Sequence, residues 1–385
     1  MADSVYHALG TKPVVNALGI YTDLGGSRLS PPVWAAMEEA NRSFASMVGL
    51  LAGSGAVIAR LLGSEAARVT PGASAAIALG TAACMTGTDG AKMEQLPDTT
   101  GMRNEVVMQR NHRYKYDRMV RMTGARIVEA GDADGTTLEQ LDAAIGPQTA
   151  MICFPAHLDG VGGTAVLPEV AALARSRGVP VLVDAAYLNY PVSLMGSFTA
   201  AGADLVCFSA KYFGGPNGGG FIAGRADLID AVAGVDFTRF ESGRHLIFGR
   251  PFKLDRQIVV GVVAALQEWL AMDHGARFAD YGHLVGIIAD RLEGREGVRT
   301  SPMFFSMQET LHGAPEPANC LVVEVGPESG TTAAAVEEAL AADDPAILVH
   351  LRDESVIVDV EVMNEEEAQL VAERLAGLLR APGGR

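Results

Sequence analysis

Positive charge is scarce in this chain: 30 lysines and arginines stand against 46 aspartates and glutamates, a formal net charge of −16. An acidic surface repels nucleic-acid phosphates, and no Lys/Arg-rich run offsets it, so we expect no nucleic-acid partner. Long hydrophobic runs are missing too. The longest candidate, from Ile258 to Met272, is broken by Gln267 and Glu268. It falls short of the roughly 20 apolar residues of a spanning helix, and no membrane partner is expected. The opening MADSVYHALGTKP has no basic region followed by an apolar core, so no secretory signal is expected. Only four cysteines are present, Cys84, Cys153, Cys207 and Cys320. They lie far apart in apolar stretches without CxxC or Cys/His spacing. They read as buried, reduced thiols of a cytoplasmic protein, with no metal site.

What remains is the profile of a packed globular chain, 49% hydrophobic and 20% charged. A length of 385 residues suits a large domain plus a smaller one. From about Ser54 to Ala233, short apolar runs alternate with amphipathic stretches. AMICF (150–154), PVLVD (180–184) and ADLVCFS (203–209) read as buried strands, and LPEVAALARSRG (167–178) as a helix ending on glycine. Strand–helix alternation predicts an α/β fold with a mainly parallel sheet covered on both faces. Past Pro251 come two long helical patterns, about 254–272 and 276–292. Strand-like NCLVVEV (319–325), PAILVHL (345–351) and SVIVDVEV (355–362) follow, and then a closing helix from Asn364. We therefore divide the chain into an N-terminal segment (1–50) packing on the small domain, a ligand-binding large domain (51–252) and a small α+β domain (253–385).

In a parallel sheet, ligands bind beyond the carboxyl ends of the strands. Four segments there carry chemistry. Asp184 ends the hydrophobic run VLVD, where an unpaired carboxylate would be costly. A pyridinium nitrogen would satisfy it and gain an electron-sink ring in return; a helix cap or metal ligand is the alternative. Lys211 follows the next run, between Phe208 and Tyr212, where partial desolvation favours imine chemistry. GGPNGGG (214–220) behind it lets the backbone pass close to a bound ring. A surface lysine that merely follows a strand is the plainer alternative. In RVTPGASAAIALGTAA (68–83), Gly72, Ala73 and Ser74 present N–H groups at the start of a helix, a phosphate cradle that is compatible with Ser74 simply capping that helix. In EVVMQRNHRYKYDRMVRMTG (105–124), His112 lies among Arg110, Arg113 and Lys115; it could stack on a cofactor ring while Arg110 and Arg113 attract an anionic substrate. A solvated basic loop competes with that reading.

In this order and texture the chain resembles fold-type I pyridoxal-phosphate enzymes, the aspartate-aminotransferase-like fold. Its stretches are most similar to the selenocysteine synthase-like branch that includes the D-glucosaminate-6-phosphate ammonia-lyase-like proteins. The resemblance is carried by KPVVNALG (12–19), EAARVTPGASAAIALGTAACMTG (65–87), LPDTTGMRNEVVMQRNH (96–112), MVRMTGARIVEAGD (119–132), VPVLVDAAY (179–187), FSAKYFGGPNGGG (208–220) and FGRPFKLDRQIVVG (248–261). It implies pyridoxal 5'-phosphate as cofactor, held by Lys211 as a Schiff base, with Asp184 on the pyridine nitrogen and His112 on or near the ring. Ser209 would join Gly72, Ala73 and Ser74 around the phosphate. Only one residue separates Ser209 from Lys211, where relatives have two. Arg250 and Lys253 would complete a phosphate or substrate site, within a homodimer or larger even-numbered homo-oligomer. His350 stands where many relatives carry arginine, which leaves Arg352, on the same strand face, to meet a substrate carboxylate.

The cofactor permits several reactions on a small amino-acid-like substrate. The resemblance points to elimination from a 2-amino-3-hydroxy acid, giving a 2-keto acid and ammonia. Racemisation or epimerisation, transamination and a non-catalytic regulatory role are the alternatives.

Overall fold

A computed structural model describes residues 4–241, 246–305 and 317–380. The chain forms two compact units, Arg28–Ala271, and Met1–Ser27 together with Met272–Arg385. The first strand, β1 (Val14–Ala17), belongs to the smaller unit, and the next seven build the larger one. These are β2 (Ala66–Thr70), β3 (Glu105–Gln109), β4 (Arg126–Ala130), β5 (Thr149–Pro155), β6 (Val181–Asp184), β7 (Leu205–Ser209) and β8 (Gly220–Gly224). Among the described residues they form one sheet in the order β2-β8-β7-β6-β5-β3-β4. The pairings are parallel except those of β8, which runs antiparallel to both β2 and β7. This is the α/β architecture expected from alternating apolar runs. The runs at 150–154, 180–184 and 203–209 are β5, β6 and β7, each buried along its whole length.

Cross-strand register sorts the core into two faces. Cys153, Leu182 and Leu205 form one row, and Phe154, Val183 and Val206 the next. Successive residues of a strand point to opposite faces, so the first row faces the helix Gly72–Thr86 and the second faces the helices Met47–Leu62 and Arg256–Ala271. The Gly72–Thr86 helix is alanine-rich and buried on nearly every side. Small side chains bring its axis close to the sheet. A Cβ on Gly80 would lie only 2.4 Å from Cδ1 of Leu182.

The units part at Ser27/Arg28 and at Ala271/Met272, whereas the sequence reading set limits at 50 and 252. Polar contacts explain the difference. Ser30 caps the helix Pro31–Arg42 and donates to Glu268 at 2.5 Å. The Arg256 guanidinium donates to the carbonyls of Ala40 and Ser43 at 2.8 and 2.9 Å. These bonds join residues 28–50 to residues 253–271, and Val33, Val259, Val262 and Leu266 of the two segments share the hydrophobic core of Phe154, Val183 and Val206 on the large sheet.

In the smaller unit, β9 (Val298–Met303), β10 (Cys320–Val325), β11 (Ala346–Arg352) and β12 (Ser355–Asp359) join β1 in the order β1-β11-β12-β10-β9. Strand β1 runs parallel to β11, and the remaining pairs are antiparallel. The helices His274–Leu292, Ala333–Ala342 and Glu365–Leu378 cover the sheet. The last starts with a capping box between Asn364 and Glu367, where the sequence placed its beginning. No helix among the described residues is long and apolar enough to cross a membrane.

Candidate active site

Strands β3, β5, β6 and β7 lie side by side and point their carboxyl ends the same way. Asp184 is the last residue of β6 and is 5% exposed. Its Oδ1 accepts from the Ala186 N–H at 3.0 Å and from the Cys207 thiol at 3.8 Å, and its Oδ2 from the Tyr114 hydroxyl at 2.5 Å. Burial pushes the carboxyl above its ordinary range, against the pull of the Tyr114 and Ala186 hydrogen bonds and the nearby His157. A buried carboxylate of this kind favours a cationic N–H partner.

Lys211 sits one strand over, on the tight turn Ala210–Phe213 that follows β7, and is 7% exposed. Its Nζ lies 4.8 Å from the centre of the Tyr212 ring. The turn is pinned from behind. The Asn189 amide donates to the Tyr212 carbonyl, and Trp269 Nε1 donates to the Asn189 carbonyl at 3.0 Å. These bonds fix the backbone from which the Lys211 side chain extends.

The cradle forms where three strands meet. Thr70 ends β2, Ser209 ends β7, and both pair with Gly220 at the start of β8. A Cβ on Gly220 would lie 2.5 Å from the Phe208 carbonyl oxygen and 2.7 Å from Cα of Gly72. Only glycine lets the turn opening the Gly72–Thr86 helix come this close. The Thr70 hydroxyl donates to the Gly72 carbonyl at 3.0 Å, tying the turn to its strand. Gly72, Ala73 and Ser74 open the helix, and free N–H groups there suit an anion. Ser209 lies two residues beyond Cys207, so it shares the sheet face of Cys207, Asp184 and this helix.

The structure does not bring every expected residue to this edge. His112 is wholly buried: its Nε2 lies 3.1 Å from the Leu158 carbonyl, its Nδ1 3.5 Å from the Gln109 amide, and its ring meets Phe154 edge-on. Phe154 belongs to the face opposite Asp184, so no face of His112 is open to a stacked ring. Burial holds its imidazole neutral, with a pKa lowered to about 4. Arg113 is engaged by Asp117 at 2.5 Å and by Glu129, and Arg110 is exposed near Asp132. Arg250 lies over the Phe240 ring on the turn Arg250–Phe252, and Lys253 is exposed just after it. Arg352, in the smaller unit, is exposed at the end of β11; His350 on the same strand is lodged between Tyr21 and Phe305.

Four residues not singled out from the sequence complete the edge. Tyr114 follows β3, His157 follows β5, Tyr187 follows β6 and Tyr212 follows β7. Their ring centres are 5.5, 5.6 and 5.8 Å apart in that order. This arc of rings runs from Asp184, through the Tyr114 hydroxyl, to the Lys211 amine. The signal was present: each residue stands a few positions past an apolar run, where ligands bind in parallel sheets.

The aminotransferase class-V family matches residues 106–241. The 5'-C-glycyluridine monooxygenase-decarboxylase of Streptomyces sp is 31% identical over 98% of this chain and 93% of that protein. The D-glucosaminate-6-phosphate ammonia lyase of Salmonella typhimurium (strain 14028s / SGSC 2262) is 35% identical over 70% of this chain and 71% of that protein. The chain belongs to the class-V aminotransferase family. A solved D-glucosaminate-6-phosphate ammonia-lyase structure superposes with a TM-score of 0.84 at 28% identity, covering 98% of each chain. This class-V member is an enzyme, and its cofactor is pyridoxal 5'-phosphate. The edge residues fit that group: a glycine-crowded helix start for the phosphate, a buried carboxylate for the ring nitrogen and a buried amine for the aldehyde.

Proposed function

We propose that this enzyme is an ammonia-lyase-type eliminase acting on a 2-amino-3-hydroxy acid, an amino-sugar acid or a close analogue. The choice of elimination rests on one observation, the likeness over 98% of both chains to a solved D-glucosaminate-6-phosphate ammonia-lyase. Lys211 holds the cofactor through its amine, Asp184 keeps the ring nitrogen protonated, and Ser209 with Gly72, Ala73 and Ser74 grips the phosphate. His157, midway along the ring arc, takes the place beside the cofactor first assigned to His112. Bound pyridoxal phosphate supplies an electron sink for the pair released at the substrate α-carbon. The freed Lys211 amine removes the α-proton, and the β-hydroxyl leaves as water. The released enamine takes a proton at its β-carbon to become a 2-imino acid, and addition of water then yields the 2-keto acid and ammonia.

A homodimer or larger even-numbered assembly would bring Arg250 and Lys253 to a neighbouring subunit's site. The exposure of Trp34 and Phe44, 61% and 91%, is consistent with a covered surface in such an assembly. Free thiols at all four cysteines fit a reducing cytoplasm.

A second reading has its own support, because the relative matched over 98% of this chain is named a monooxygenase-decarboxylase. One experiment separates the two. Candidate 2-amino-3-hydroxy acids are supplied without any keto acid, and ammonia, carbon dioxide and dissolved oxygen are followed over many turnovers. Sustained ammonia with an unchanged carboxyl count supports elimination. Carbon dioxide release matched to oxygen uptake would replace it with oxidative decarboxylation. A single burst restarted only by a keto acid would indicate transamination, and inversion at the α-carbon without ammonia would indicate racemisation.

A further inference from the structure

Tyr114 donates a hydrogen bond from its hydroxyl to Oδ2 of Asp184 at 2.5 Å. Its ring is held between Tyr116, at 5.9 Å, and His157, at 5.5 Å, so the phenol has a fixed aim. Burial and the Asp184 charge push the phenol's own pKa up, so it remains a neutral donor. Among the described residues, the thiols of Cys153 on β5 and Cys207 on β7, the imidazole of His157 after β5, and the Ala186 N–H also face this carboxylate. Both thiols are themselves pushed up by burial and stay neutral. Tyr114 is therefore the main side-chain donor opposing the cost of a bare carboxylate at the sheet edge.

We propose that Tyr114 is a positioning residue that keeps Asp184 ionised and aimed at the cofactor's ring nitrogen, through the hydrogen bond from its hydroxyl. The inference rests on the assignment of Asp184 to that nitrogen. A carboxylate oxygen has room for two donors, so the Tyr114 bond and the ring nitrogen do not compete. Without the hydroxyl, burial acts unopposed at Oδ2 and the carboxyl takes up its proton at a higher pH. A neutral carboxyl cannot hold a protonated ring nitrogen, so cofactor binding would fail earlier as the pH falls.

The test titrates the full-length chain with pyridoxal phosphate between pH 5.5 and 9, conditions of about the ordinary titration span, for wild type, Tyr114→Phe and Asp184→Asn. Thermal melting in the same buffers reports the fold. Tyr114→Phe should bind roughly tenfold or more weakly at the acid end, the size of a lost hydrogen bond to a charged group. The acid limb of its binding curve should move to higher pH. An Asp184→Asn variant with weakened binding and a wild-type curve for Tyr114→Phe would overturn the Tyr114 inference alone. Unaltered binding by Asp184→Asn would overturn the Asp184 assignment and the inference with it. If Tyr114→Phe does not fold, Tyr114→Gln and Tyr114→Leu are compared, and equal affinity of the two at the acid end would refute the donor role.

Discussion

His112 and His157 show how two histidines, each close behind a strand, come to different fates. His112 meets Phe154 edge-on and spends both ring nitrogens on Leu158 and Gln109, whereas His157 lies between Tyr114 and Tyr187 at the edge. Burial sets the His112 pKa at about 4, below its ordinary 6.5. The unfolded chain therefore binds a proton between those values that the folded chain refuses, and stability is lost as the pH falls from 6.5 towards 4. The loss is on the order of 3 kcal/mol over that window, at 1.36 kcal/mol per pH unit. Thermal unfolding of wild type and His112→Gln at pH 7 and 5 should show a steeper acid loss for wild type; parallel curves would contradict the assignment. Lys211 makes a separate residue-scale prediction. Borohydride reduction of the enzyme should fix the cofactor on the peptide carrying Lys211, and peptide mapping that finds it on Lys115 or Lys253 instead would move the cofactor site. The buried positions of Asp184 and Lys211 at the sheet edge were legible because each ends or follows a continuous apolar run. His112 was misread because spacing along a chain does not say which face of a sheet a loop residue turns to.

At the scale of elements, two glycines predict opposite outcomes. Gly80 meets the flexible tip of Leu182, which can move, whereas Gly220 meets backbone, the Phe208 carbonyl and Gly72. Gly80→Ala should cost roughly 1–3 kcal/mol of stability as overpacking and leave cofactor affinity near wild type. Gly220→Ala must push apart β8 and the start of the Gly72 helix, so it should weaken pyridoxal-phosphate binding by roughly tenfold or more, the scale of a lost charged hydrogen bond. Melting curves alongside cofactor titration separate the two effects, and equal cofactor affinity in both variants would refute the cradle. The glycine-rich run was visible as a place of close backbone approach. That strand β8 would emerge from it, antiparallel to both neighbours, was not, because glycine carries no hydrophobic period to read.

The whole molecule raises the question of how many chains complete a site. Lys211→Ala and Arg250→Ala chains should each be inactive alone. Mixed under conditions of verified subunit exchange, they should recover part of the activity if a neighbour's Arg250 serves the site; no recovery would restrict the site to one chain. Sedimentation should find an even-numbered assembly whose formation is weakened by Phe44→Asp, at the most exposed large apolar side chain of the larger unit. The sequence by itself determined the α/β class, the strands β5, β6 and β7 and the strand-and-helix texture of the C-terminal part, and its resemblance to a known family pointed to the cofactor. Those follow from local patterns: apolar runs of strand length, a carboxylate and an amine at their ends, and a helix opened by Gly-Ala-Ser. Only the tertiary structure decided that residues 28–50 belong with the larger unit, that His112 is interior, and that Tyr114, His157, Tyr187 and Tyr212 form one arc. These depend on strand order and on which face each residue meets. Register across parallel strands is set by contacts between segments tens of residues apart, which no local pattern records.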